Sequence, residues 1–118
     1  MTVYVIQDVQ RMDRETGLLS SKLDFGPARE FGELSFLLSP TAGPFNPDSI
    51  IDELHGKLCD FTGADCLLLV GNPVLIGLAV SIAASYNEGC VNLLQWSGSQ
   101  RRYIMIHVAD LFRDIGPL

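Results

Sequence analysis

The chain has few cysteines and no pattern among them. Cys59, Cys66 and Cys90 are three in number, scattered, and without CxxC spacing. An odd, unpatterned count fits reduced, mostly buried thiols better than a disulfide framework. Positive charge is also scarce: 8 Lys and Arg stand against 14 Asp and Glu, for a net charge of −6. A chain of that sign is repelled by phosphate backbones, which sets nucleic acid low among partners. Neither GxGxxG nor GxxxxGK[ST] occurs, so the sequence offers no standard phosphate-binding loop. The first ten residues, MTVYVIQDVQ, lack the basic start and long apolar core of a secretory leader, which points to the cytoplasm. The most apolar stretch, LLLVGNPVLIGLAV at 67–80, is interrupted by Gly71-Asn72-Pro73. A membrane helix needs about 20 unbroken apolar residues, so no span is expected. Repeats and linkers are missing as well, which predicts one compact domain over residues 1–118.

What is present is apolar content. The 118 residues are 47% hydrophobic and 19% charged, with a mean hydropathy of +0.25. A small domain leaves much of its surface in water, so such an excess is expected to end in a subunit interface. The charge is uneven. Residues 46–90 carry six acids and one Lys, whereas 91–118 carry three Arg and two Asp.

Periodicity sets out the elements. TVYVIQDV is β-branched and alternating, with Val3, Val5 and Val9 on one face and Tyr4 and Ile6 on the other, and reads as a strand. RMDRETG reads as a polar turn, and 18–32 is undecided apart from a short helix at Pro27–Phe31. ELSFLLS is a second strand, and PTAGPFNP a stiff loop. Asn46-Pro47 starts a helix whose stripe is Ile51, Leu54, Leu58 and Phe61. CLLLV is a strand buried on both faces. Asn72-Pro73 starts a second helix that runs to Tyr86. CVNLLQW, a turn at SGSQ and RRYIMIHV form a closing hairpin, with Ile104, Ile106 and Val108 opposite Tyr103, Met105 and His107. The fold class is therefore α/β: a small mixed sheet of about five strands with two main helices, in the order β-β-α-β-α-β-β. Its central strands are expected to be parallel and its C-terminal hairpin antiparallel. The C-terminal tail stays unassigned.

The second helix carries no charge. At 100° per residue, Leu75, Leu78 and Ile82 fall on one side and Ile76 and Val80 nearly opposite. Gly77, Ser81 and Ala84 form a strip of small residues between them. A helix apolar on two sides must be covered twice. One cover is the sheet; the other is either residues 18–32 or a second copy of the chain. Gly77-x-x-x-Ser81 allows close helix approach, a motif diagnostic only in membranes.

Three groups of residues could carry function. The turn VGNP leads a strand into a helix N-terminus, where free N–H groups gather in open α/β sheets. With the loop SPTAGPFNP it would form a cleft of Ser39, Thr41, Asn46, Gly71 and Asn72 for a phosphate- or carboxylate-bearing ligand. Ordinary helix capping explains the same residues. Trp96, Arg101, Arg102 and Tyr103 surround the closing hairpin. They suit a protein interface, plain cross-strand pairing, or single-stranded nucleic acid. His55 and Cys59 are four apart on the first helix, yet two ligands do not make a metal site. His55 reads as a surface residue beside Asp52, and His107 as a satisfied or surface histidine. No catalytic residue, metal or cofactor is assigned.

FLLSPTAGPFNPDSII, LLLVGNPVLIGLAVSIAA and VNLLQWSGSQRRYI resemble stretches of small uncharacterised proteins of tailed bacteriophages, over about residues 1–112. The resemblance implies expression inside a bacterial host, in a reducing cytoplasm, and action through host or phage proteins. It carries no functional residue over to this chain. The expectation is a non-enzymatic homo-oligomer that works through protein contacts, with Ile76, Gly77, Val80 and Ser81 and the hairpin as interfaces. A small-molecule binder or enzyme at Gly71-Asn72 comes second, and a single-stranded nucleic-acid binder third.

Overall fold

The alternating β-branched residues at the start of the chain form an inner strand, paired on both sides. The computed structural model describes residues 1–21 and 23–113. Strand β1 (Thr2–Gln7) pairs in parallel with β4 (Glu33–Leu38) on one side and β5 (Cys66–Leu68) on the other. Strand β6 (Val91–Ser97) continues in parallel from β5, and β7 (Arg102–Val108) closes the sheet antiparallel to β6. The sheet order is β4-β1-β5-β6-β7. The expected mixed sheet with parallel central strands and a closing hairpin is therefore the observed one.

The order has a consequence for the two faces. The chain leaves β1 in one direction to reach β4, then travels back across β1 to reach β5. Right-handed crossovers in opposite directions lie on opposite faces of a sheet. Accordingly α1 (Pro47–Leu58) and α2 (Pro73–Tyr86) share one face, where Leu54, Leu58, Leu75, Ala79 and Ala83 pack on Ile6, Leu37, Leu67 and Val91. The 3-10 segment Gly26–Phe31 lies on the other, where Phe25 and Ala28 pack on Val3, Val5, Cys66, Leu68, Leu94 and Tyr103. The alternation Val3/Val5 against Tyr4/Ile6 and the doubly buried run Cys66–Leu68 are the sequence counterparts of this sandwich.

The turn expected at RMDRETG is present at residues 14–16 and forms the tip of a small hairpin. Strands β2 (Gln10–Met12) and β3 (Leu19–Ser21) pair antiparallel, with Met12 opposite Leu19, and every residue in both is exposed. Its turn is closed by Gly17 N–H donating to the Asp13 carbonyl at 2.8 Å and by Glu15 N–H donating to Asp13 Oδ1 at 2.8 Å. Three-residue strands are too short to show a period, which is why the turn was legible and the strands beside it were not. Val9 accordingly falls beyond the first strand.

The two Asn-Pro helix starts are not equivalent. Asn72 Oδ1 accepts from Val74 N–H at 2.9 Å and caps α2. Asn46 precedes α1 without a side-chain capping bond, and Pro47 alone sets the first helical φ. In the tail, Leu111 N–H donates to the Gly89 carbonyl at 2.9 Å, while 114–118 lie outside the described residues.

Candidate functional site

Between β1 and β5 the chain reverses its direction of travel, and open α/β sheets collect ligands at the carboxyl ends of strands at such a point. The carboxyl end of β1 is Gln7, a buried polar side chain. Its Nε2 donates to the carbonyls of Ser39 (3.0 Å) and Ala42 (2.8 Å), and its Oε1 accepts from Asn72 N–H at 2.9 Å. One amide thus ties the loop after β4 to the N-terminus of α2. Gly71 permits this: at φ +115° a Cβ there would lie 2.5 Å from Gln7 Cβ.

The sequence-expected ligand residues gather loosely around that bridge. Ser39 and Thr41 are exposed and share a hydroxyl–hydroxyl hydrogen bond of 2.9 Å. Gly71 and Asn72 are half-buried beneath Gln7, and Asn46 is exposed at the start of α1. Gln7 engages the backbone of Ser39, Ala42 and Asn72, while the two hydroxyls engage each other. Sequence reasoning passed over Gln7 because a lone amide at a strand end has no spacing signature. Its position directly after an alternating strand was the one available cue.

The second group lies on the helix-bearing face beside β7. On α2, Leu75, Ala79, Ile82, Ala83 and Ala84 are buried, Ile76, Leu78 and Val80 half-buried, and Gly77 and Ser81 exposed, with Val74 53% exposed. Ala84 therefore belongs to the buried side and not to the strip of small residues. The described part of residues 18–32 does not cover α2, because Phe25 and Ala28 pack on the opposite face of the sheet. Next to α2, Leu93 pairs with Ile106 and Gln95 with Ile104. A 360 Å³ depression there is lined by Gln95, Trp96, Ser97, Ile104 and Ile106. Ile106 is 43% exposed. Two helices cover four parallel strands, and the closing strand receives no helix of its own.

On the other face, Trp96 and Tyr103 are cross-strand partners whose rings meet edge to face at 5.0 Å. Tyr103 is buried and donates its hydroxyl to the Asp24 carbonyl at 3.3 Å. Burial, and then the charge of Asp24, raise the Tyr103 phenol above its ordinary value. Arg101 and Arg102 are exposed at the hairpin end. Arg102 Nε donates to Gln100 Oε1 at 2.9 Å, and Arg101 holds a positive φ of 52°.

The remaining titratable candidates are engaged locally. His55 Nδ1 lies 2.6 Å from Tyr86 Oη, which links α1 to α2, and His107 Nδ1 lies 2.6 Å from Asn92 Oδ1. No group of three or more potential metal-ligating side chains occurs among the described residues. Cys59 is exposed, Cys90 half-buried, and Cys66 buried, with its thiol pushed up to about 11 by burial and then by Asp65. Iodoacetamide at pH 8 is therefore expected to label Cys59 and spare Cys66, as peptide mass spectrometry would read. The neutral thiol is the form the fold favours. Its contribution to stability is complete below pH 9 and is lost as pH rises through about 11.

Among the described residues no helix is long and apolar enough to cross a membrane. No curated protein and no solved structure matches the chain. A family model described as phage Pam3 gp32-like protein matches residues 1–110, and the chain belongs to that family of phage proteins.

Proposed function

We propose that this phage protein acts without catalysis, as a homo-oligomer whose work is done through protein contacts made by α2 and the closing hairpin. The supporting observation is apolar exposure on the helix-bearing face: Val74 and Gly77 are exposed and Ile76 and Val80 half-buried on α2, and on the sheet Ile106 is exposed and Leu93 and Ile104 half-buried. Exposed apolar residues scattered singly are ordinary; a cluster on adjacent elements of one face is the kind of surface that subunits bury. The chemistry of the strip fits the same reading. Gly77 has open space around the position of a Cβ, so a second helix can approach its backbone closely. At the carboxyl end of β1 the Gln7 amide is spent on the backbone of Ser39, Ala42 and Asn72, a structural use of the one buried polar side chain there, which favours contact over catalysis. A phage gene is expressed in the bacterial cytoplasm, a reducing compartment that suits three free thiols.

Hydrogen exchange at two protein concentrations tests the proposal. Raising the concentration is expected to slow exchange at residues 74–81 and 104–106 and leave β2 and β3 unchanged. Equal rates at 74–81 and 104–106 at both concentrations would count against it.

A further inference from the structure

On the face opposite the helices, Leu23, Asp24, Val70, Trp96 and Tyr103 line a pocket of 250 Å³. That volume is below the roughly 300–1,000 Å³ usual for small-molecule and cofactor sites, and it suits one side chain of a partner. Leu23, Val70 and the two rings make it apolar, and Asp24 gives it a negative bias. The chain's single Trp stands 47% exposed at this pocket. An aromatic face, apolar flanks and a carboxylate together select an organic cation on an apolar stem, and guanidinium suits both ring stacking and carboxylate pairing. The chain carries such a cation at the same end of the same hairpin, because Arg101 is exposed just beyond the Trp96–Tyr103 pair. A two-fold contact requires one patch to be complementary to itself. This patch holds both halves of the match, an acidic aromatic pocket and an arginine.

We infer that the pocket of Leu23, Asp24, Val70, Trp96 and Tyr103 receives the Arg101 side chain of a second copy of this chain, reciprocally across a two-fold axis. The inference rests on the homo-oligomer proposed above and adds to it a second contact, on the face opposite α2. Use of both faces builds an assembly larger than a dimer.

A charge exchange between full-length variants tests it. Asp24→Lys sets Lys against Arg101 in both reciprocal contacts, and Arg101→Asp sets Asp against Asp24. Each variant alone is expected to weaken self-association at least tenfold by sedimentation velocity. Asp tolerates the positive φ of residue 101, so Arg101→Asp is compatible with the native turn. Asp24 Oδ1 accepts from Gly26 N–H at 2.9 Å, a bond that Lys removes. Asp24→Asn keeps an oxygen acceptor there and removes only the charge, and it is expected to weaken association by a smaller factor. An equimolar mixture of Asp24→Lys and Arg101→Asp restores one native and one exchanged pair in each mixed contact. Its association is expected to return to within about threefold of the parent chain, with Trp96 emission shifted to shorter wavelength as the pocket fills. Unchanged association in the single variants, or variants that weaken but do not rescue each other, would overturn the pairing and leave an oligomer through α2 standing. A parent chain that stays monomeric would overturn both.

Discussion

Gln7→Ala is expected to remove a large share of the stability of the subunit, lowering the free energy of unfolding by about 2–4 kcal/mol in a denaturant titration. The side chain is buried and makes three hydrogen bonds, two to carbonyls and one from a backbone N–H. Truncation leaves the Asn72 N–H and the Ala42 carbonyl short of partners, while the Ser39 carbonyl still accepts from Ala42 N–H at 3.0 Å. Each part-buried group so orphaned costs about 1–2 kcal/mol, while domains hold only about 5–15 kcal/mol in all. Gln7→Glu separates this bridge from mere space filling. It keeps the acceptor for Asn72 N–H but turns a second carboxylate oxygen toward two carbonyls, so it is also expected to destabilise strongly. A loss below about 1 kcal/mol in both variants would show that water replaces the amide and that the bridge matters little.

The importance of Gln7 marks the limit of what the sequence made legible. Strands β1, β4, β5, β6 and β7 and both helices followed from period and punctuation, because each repeats a pattern over five or more residues or ends at Gly, Asn or Pro. The run Cys66–Leu68 is short, but being apolar at every position it declared burial on both faces. The helix start at Asn72-Pro73 carried its capping bond as read. Asn46-Pro47 has the same two letters and no side-chain cap, because whether an Asn side chain turns back on its helix depends on the approach of the loop. The β2–β3 hairpin and the strand order depend on contacts between distant residues and left no local trace. Gln7 meets Ser39, Ala42 and Asn72 across 32 to 65 positions of chain, a convergence that no spacing rule displays. Ala84 moved from the strip of small residues to the buried side for a related reason. Neighbouring elements, and not the helical wheel alone, decide where the boundary of an apolar face falls.

Gly77→Lys is expected to act in opposite directions on the subunit and on the assembly. Glycine inside a helix costs about 1 kcal/mol relative to Ala, most of which Lys recovers. Gly77 lies in the interior of α2, and a Cβ added there meets nothing within 4 Å of the same chain. An isolated subunit carrying Lys should therefore unfold at a slightly higher denaturant concentration than the parent chain. Where a second copy approaches that backbone, however, the new side chain places bulk and a charge in an apolar contact. The particle mass is expected to fall to half or less, with circular dichroism unchanged. A stabilised subunit whose mass equals that of the parent chain would place the α2 strip outside the interface, and a destabilised one would mean that Gly77 is packed within its own subunit.

Light scattering of the unmodified protein, eluting from a sizing column at low micromolar concentration, addresses the proposed interface through α2 and the closing hairpin most directly. One chain weighs 12.9 kDa. A particle of at least twice that mass, persisting on dilution, is the expected result. A single species at the mass of one chain across the whole concentration range would mean that the apolar flank of α2 lies open to water, and that self-association has no part in how this protein works.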